Sequence, residues 1–143
     1  MKCLGMDLGT KTLGLATSDK LGYIASPYKT LRYDDINMLV DEVIKIIDEL
    51  HIEVLVLGYP KNMNNTLGEA VTRTLNFKEL LESRVTMPIN LIDERLSTVE
   101  AENVLLAHDI SRNGRKKVID SIAASIILDT YLRKREKEHE WKW

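Results

Sequence analysis

Only one cysteine, Cys3, occurs in the 143 residues. That excludes a disulfide within the chain and a zinc site built on its cysteines. It also favours a reducing, cytosolic setting. Prolines are three, Pro27, Pro60 and Pro88, and each marks an expected bend or end of an element. No long apolar run follows Lys2, so no signal peptide is expected. No stretch approaches the roughly 20 apolar residues of a membrane span. Internal repeats and low-complexity tracts are lacking. The three histidines, His51, His108 and His139, fall at expected helix ends or in the tail, which argues against a histidine-centred site. Neither sign of charge dominates: the formal net charge is -2, against a uniformly basic nucleic-acid binder.

What is there is an ordinary globular composition, 44% hydrophobic and 29% charged. One domain over 1–137 is expected, with a frayed tail over 138–143 carrying Trp141 and Trp143. The charges are unevenly placed. Asp34 to Leu55 holds seven acids against Lys45 alone, a local charge of -6. Ser111 to Lys137 holds eight bases (among them Arg112, Arg115, Lys116 and Lys117) against three acids, a local charge of +5. One basic end attracts phosphates; the plainer reading is a solvated helix end.

Apolar runs flanking Gly9-Thr10-Lys11-Thr12 predict a hairpin of strands Lys2–Leu8 and Leu13–Ser18. Tyr23–Leu31 reads as a third strand, bent at Pro27 and so near an edge. Asp34 or Asp35 caps a helix to about Leu50. Val54-Leu55-Val56-Leu57 is an unbroken apolar run, expected of a strand covered on both faces and ending at Gly58-Tyr59-Pro60. A helix over about Leu67–Arg84 and a strand over Ile89–Ile92 follow. Ser97 and Glu100 form a capping box for a helix to about Leu106. Asp109–Lys117 reads as a loop around Asn113-Gly114, and a last helix runs from near Lys117 to about Lys137. The order implies an α/β fold, a mixed five-stranded sheet with helices on both faces.

Three acids sit where simple folding does not put them. Asp7 interrupts an apolar strand, where a carboxylate is costly unless paired or on a metal. Gly5, Gly9 and Gly14 leave room for a ligand or another backbone. Glu94, beside Asp93, follows the fifth strand. Asp120 shares its helical side with Ala123, Ala124, Ile127 and Tyr131. Asp7 also reads as a turn residue, and Asp120 as a complement to a helix dipole. Oxygen-only ligands suit Mg²⁺ or Mn²⁺. Two such ions activate a water and stabilise a phosphodiester's leaving oxygen. Around these acids, Lys11 with Thr10 suits a phosphate, or is an ordinary turn. Arg95 suits a phosphate clamp, or a salt bridge to its acidic neighbours. Asn62, Asn64, Asn65 and Thr66 suit backbone phosphates, or form a solvated loop.

Gly5-Met6-Asp7-Leu8-Gly9-Thr10-Lys11, Leu57-Gly58-Tyr59-Pro60 with Asn62-Met63, Asp93-Glu94-Arg95-Leu96-Ser97-Thr98 and Asp120-Ser121-Ile122-Ala123-Ala124 together resemble the YqgF/RuvX family of ribonuclease H-like nucleases. The resemblance implies a ribonuclease H-like fold and a metal-dependent nuclease, with Asp7, Glu94 and Asp120 as catalytic carboxylates and metal ligands. The expected substrate contacts, read from the residues themselves, are Lys11, Arg95 and Asn62 with Arg115 and Lys116 of the basic stretch. The resemblance also implies a cytoplasmic protein that trims the 5′ end of pre-16S ribosomal RNA; monomer and homodimer are both compatible with the sequence. Resolution of four-way DNA junctions is the alternative substrate. Thr12, Tyr59 and Asn64-Asn65 depart from the family's usual residues and touch the nucleic-acid contacts rather than the carboxylates. Two rivals stand beside this reading. One is a phosphate-binding half of an actin-like or sugar-kinase ATPase, for which the chain has length for one domain only. The other is a catalytically silent nucleic-acid adaptor.

Overall fold

The computed structural model describes residues 1–60, 68–93 and 112–140. Five strands form one sheet: β1 (Cys3–Leu8), β2 (Thr12–Ser18), β3 (Ala25–Arg32), β4 (Val54–Tyr59) and β5 (Ile89–Asp93). The helices are α1 (Ile36–Leu50), α2 (Glu69–Glu82) and α3 (Arg112–Glu140). The strand order is β3-β2-β1-β4-β5. β1, β2 and β3 form an antiparallel meander, and β4 and β5 extend it in parallel with β1. This is the mixed sheet expected from the sequence. The helix expected over Ser97–Leu106 lies outside the described residues.

Strand alternation divides the core in two. Leu4, Met6, Leu8, Leu13, Leu15, Leu55 and Leu57 face one way and pack on Leu39, Val43, Ile47, Phe77 and Leu81 of α1 and α2. Cys3, Ala16, Val54, Val56 and Ile92 face the other way and pack on Ala124, Ile127, Leu128 and Leu132 of α3. Covering both faces is what lets β4 be apolar throughout. Burial also pushes the Cys3 thiol up, so the one cysteine is a core residue and not a nucleophile.

Local chemistry sets most boundaries. The Asp35 carboxylate accepts the Asn37 N–H at 2.9 Å and caps α1. At the other end His51 adopts the left-handed conformation, φ 55° and ψ 48°. Ile52 N–H then bonds the Ile47 carbonyl at 3.0 Å, closing a Schellman turn between two buried apolar residues. In β3 the register shifts opposite Leu15 and Ala16, because Lys29 and Pro27 are their partners and Tyr28 is the extra residue. The bend expected at Pro27 is therefore a bulge, on an edge strand where a missing N–H is tolerated.

Several boundaries differ from expectation. β3 begins at Ala25 rather than Tyr23, because the Asp19 carboxylate takes the Tyr23 and Ile24 N–H groups at 2.7 and 3.2 Å into a turn. β4 continues through Gly58 to Tyr59, since β5 pairs with it that far. The largest correction concerns Arg112–Lys117, expected as a loop and found in α3. The Asn113-Gly114 signal is local, and one glycine costs a helix only about 1 kcal/mol. Arg and Lys are good helix formers, and a helix already packed from Ala123 onward extends cheaply in both directions. α3 also reaches Glu140, past the expected end at Lys137.

Candidate active site

Asp7 lies one residue from the carboxyl end of β1, half-buried. By alternation it shares a face with Cys3 and Gly5, the face that α3 covers. Its antiparallel partner is Gly14. On its other side Met6 pairs with Leu57, so the α3-facing position of β4 beside Asp7 is Gly58. The carboxylate is thus flanked by two residues without side chains.

The use of Gly14 is plain from the packing. A Cβ built there would lie 1.9 Å from the Asp120 carbonyl oxygen and 2.3 Å from its carbon. At Gly5 a Cβ would meet Leu128 Cβ at 2.7 Å and the Ala124 carbonyl oxygen at 2.9 Å. The two glycines let α3 lie directly on β1 and β2. The neighbour they make room for is another backbone, one of the two options glycine in a strand suggests. The contact seats Asp120, itself half-buried, against the residue paired with Asp7. A chain separation of over one hundred residues closes to neighbouring positions.

Asp120 is the ninth residue of α3. The expectation that it sits near a helix N-terminus is therefore corrected. The helix-dipole account of its carboxylate lapses with it, since that effect fades beyond the first turn.

Asp93 ends β5, exposed, on the face opposite Ile92 and hence opposite Asp7. Glu94, Arg95 and Asn62 lie outside the described residues. Arg115 and Lys116 belong to the first turns of α3, ahead of Asp120 on the same helix. Lys11 sits in the β1–β2 turn at this same edge of the sheet, with its Nζ 4.0 Å from the exposed Asp34 carboxylate. Such an exposed pair is worth little, so the ammonium stays available to another anion.

Sequence reasoning missed Tyr33. Its hydroxyl donates to the Gly9 carbonyl at 2.5 Å, and its own N–H bonds the Lys11 carbonyl at 3.0 Å. These bonds tie the end of β3 to the turn beside Asp7. Burial raises the phenol above its ordinary value, with Arg73 of α2 acting weakly against that. No spacing rule points to this residue, because the contact depends on the sheet being formed.

Among the described residues no group of three His, Cys, Asp or Glu side chains converges as a metal site. The described part contributes two carboxylates, Asp7 and Asp120, gathered at the carboxyl edge of the parallel strands. In an open α/β sheet that edge is where ligands bind.

Sequence comparison bears on what this edge does. The RuvX family model, described as Holliday junction resolvase, matches residues 1–134. The chain belongs to the RuvX family. A Geobacillus sp. relative, named "Putative pre-16S rRNA nuclease", is 46% identical over 134 residues, covering 92% of this chain and 97% of its own. A relative of the same name from Clostridium novyi is 43% identical over 132 residues, covering 92% and 98%. Among solved structures, Thermus thermophilus RuvC aligns with TM-score 0.59 at 13% identity over 96% of this chain and 97% of its own. A fowlpox virus resolvase, solved with Holliday junction DNA, aligns with TM-score 0.58 at 13% identity over 94% and 98%. At such identity these structures establish the fold, ribonuclease H-like as expected. RuvX membership sets the class of chemistry, hydrolysis of phosphodiester bonds.

Proposed function

We propose that this RuvX protein is a metal-dependent nuclease that trims the 5′ end of pre-16S ribosomal RNA in the cytoplasm. The observation that carries the reading is the seating of Asp120 on Gly14, the partner of Asp7. It places two carboxylates on one face at the ligand-binding edge, with bare glycine positions beside Asp7. The names of the relatives from Geobacillus and Clostridium support the choice of substrate.

The donor set fits a hard divalent cation: oxygen ligands, held by a strand and by a helix that cannot move independently. Asp7, Asp120 and Glu94 would hold Mg²⁺ or Mn²⁺, in one or two sites. Asp93 is passed over for Glu94 because its position in β5 faces the other way. When bound, such an ion neutralises phosphate charge and acidifies a water.

The chain's own residues do the rest. The ladder fixes Asp7, and α3 carries Asp120 as a rigid arm. Gly58 keeps the β4 flank of Asp7 free of a side chain, so a phosphate can approach there, while the space beside Gly14 is taken by the Asp120 backbone. Lys11 or Arg95 donates to the oxygen that departs with the cleaved strand. Asn62 and the basic first turns of α3, with Arg115 and Lys116, grip the backbone to either side.

The test is cleavage of a labelled RNA bearing the extended 5′ end, beside a four-way DNA junction, in Mg²⁺, Mn²⁺ or chelator. Wild type should remove the extension only with metal, and Asp7→Asn should bind RNA without cutting it. Cutting of the junction alone would move the resolvase reading to first place. Full activity in Asp7→Asn would overturn the site. No cleavage, with binding indifferent to chelator, would point to the adaptor.

A further inference from the structure

A second basic feature lies on the far half of α3. Asn90, Leu91 and Ile92 of β5 and Tyr131, Lys134 and Arg135 of α3 line a groove of about 190 Å³. It opens sideways, because β5 is the outer strand of the sheet. No acid lines it. Its two cations contrast with Arg133 on the next position of the helix. Arg133 bonds Asp129 at 3.3 Å, Glu136 at 2.8 Å and the Tyr23 carbonyl at 3.1 Å. Lys134 and Arg135 have no such carboxylate partner among the described residues. Arg135 is half-buried. Two cations with no carboxylate partner among the described residues leave the groove open to an anion. On the sheet side, Asn90 gives one amide hydrogen to the Leu55 carbonyl at 3.3 Å, which fixes the side chain at the groove wall.

The groove is also in register with the catalytic edge. Tyr131 is eleven residues after Asp120, about three turns and 16 Å further along the helix, on the same side. Lys134 and Arg135 continue to about 21 or 22 Å. One strand of a duplex advances about 3.4 Å per nucleotide, so the separation equals about five or six nucleotides.

We infer that the Asn90–Tyr131–Lys134–Arg135 groove binds a backbone phosphate of the same nucleic acid that is cut at Asp7 and Asp120, five or six nucleotides from the cut. This rests on the nuclease reading. It assigns the protein a substrate-length requirement and a direction: the chain lies along the flank of α3 toward the β5 edge. The contact reads charge and not base, so it raises affinity without choosing sequence.

The experiment compares wild type with the Lys134→Ala/Arg135→Ala double variant and, separately, with Asn90→Asp, which puts an acid on the opposite wall. Each is checked for its native circular dichroism. Cleavage is measured on two labelled duplexes, one ending three nucleotides from the cut and one extending ten beyond it. Binding of the long duplex is measured against salt in an Asp7→Asn background, so that it does not depend on cleavage. Wild type should show a lower KM for the long duplex. Both variants should lose that advantage while kcat on the short duplex stays unchanged. The slope of log affinity against log salt should fall by about one for the phosphate lost. Equal length dependence and equal salt slope in wild type and variants would overturn the inference. So would inorganic phosphate perturbing the Asn90 amide resonance when the duplex does not, since the groove would then serve a free anion. Absence of cleavage in wild type would count against the nuclease reading, and the salt-slope comparison would still decide the groove.

Discussion

Gly14 and Asp120 occupy each other's space. Where a side chain at position 14 would begin, the carbonyl of residue 120 already stands, 1.9 Å from the ideal Cβ. Gly14→Ala therefore forces β2 and α3 apart by more than an ångström. Overpacking of this kind costs about 1–3 kcal/mol, and misplacing a catalytic group by that distance costs about a hundredfold in rate. Urea denaturation and cleavage assays on the alanine variant should show both losses. Unchanged cleavage would mean that Asp120 need not be held where the structure puts it.

Asp93 and Glu94 are neighbours with opposite assignments. Asp93→Asn should leave cleavage within about a factor of three of wild type, and Glu94→Gln should remove it, as loss of a metal-holding carboxylate does. The reverse ranking, read from single-turnover rates, would transfer the third carboxylate to Asp93 despite its facing.

Tyr33→Phe deletes the hydroxyl that donates to Gly9. Loss of one such bond costs about 1 kcal/mol, visible as a shift of the urea midpoint. There is a pH signature as well. The native phenol titrates above its ordinary value of 10.0, so the folded state holds this proton more tightly than the unfolded chain. The stability it contributes is complete below pH 10 and is lost as pH rises through the native value. Wild type should thus lose stability more steeply than Tyr33→Phe in that alkaline range. Parallel curves for the two proteins would show that the phenol is not protected.

His51 holds a backbone conformation that suits glycine, with φ 55°. His51→Gly should stabilise the protein by about 0.5–1 kcal/mol, since the left-handed strain at a β-carbon is removed while the Schellman bonds remain. A lower melting temperature would show that the imidazole contributes more than the strain costs.

Much of this was legible in the sequence because it is chemically local. Asp35 as a cap, Pro27 as an edge bend and Val54–Leu57 as a doubly covered strand each follow from a few adjacent residues. Asp7 stood out because a carboxylate amid apolar strand residues needs a reason, and Gly14 because a strand glycine implies close approach. The failures share a cause. Asn113-Gly114 reads as a turn until a long packed helix behind it outweighs one glycine. Asp120 reads as a first-turn residue only if the helix begins near Lys117, whereas it begins at Arg112. Tyr33 carries no signal until β3 is laid beside β2. The role of Glu94 rests on the family resemblance and on the Glu94→Gln variant above, and Arg95 and Asn62 lie outside the described residues.

The two sides of the sheet are also completed at different times. By the time Asp93 leaves the ribosome, every strand and both helices of the leucine-rich side have been made. Among the described residues, the opposite side, with Cys3, Ala16, Val54, Val56 and Ile92, is covered only by α3. A nascent chain therefore carries Asp7 without Asp120, together with an uncovered apolar surface. On the proposed assignment of Asp7 and Asp120, synthesis order alone would keep the unfinished protein from cutting, and the last helix would both cover the second core and complete the site.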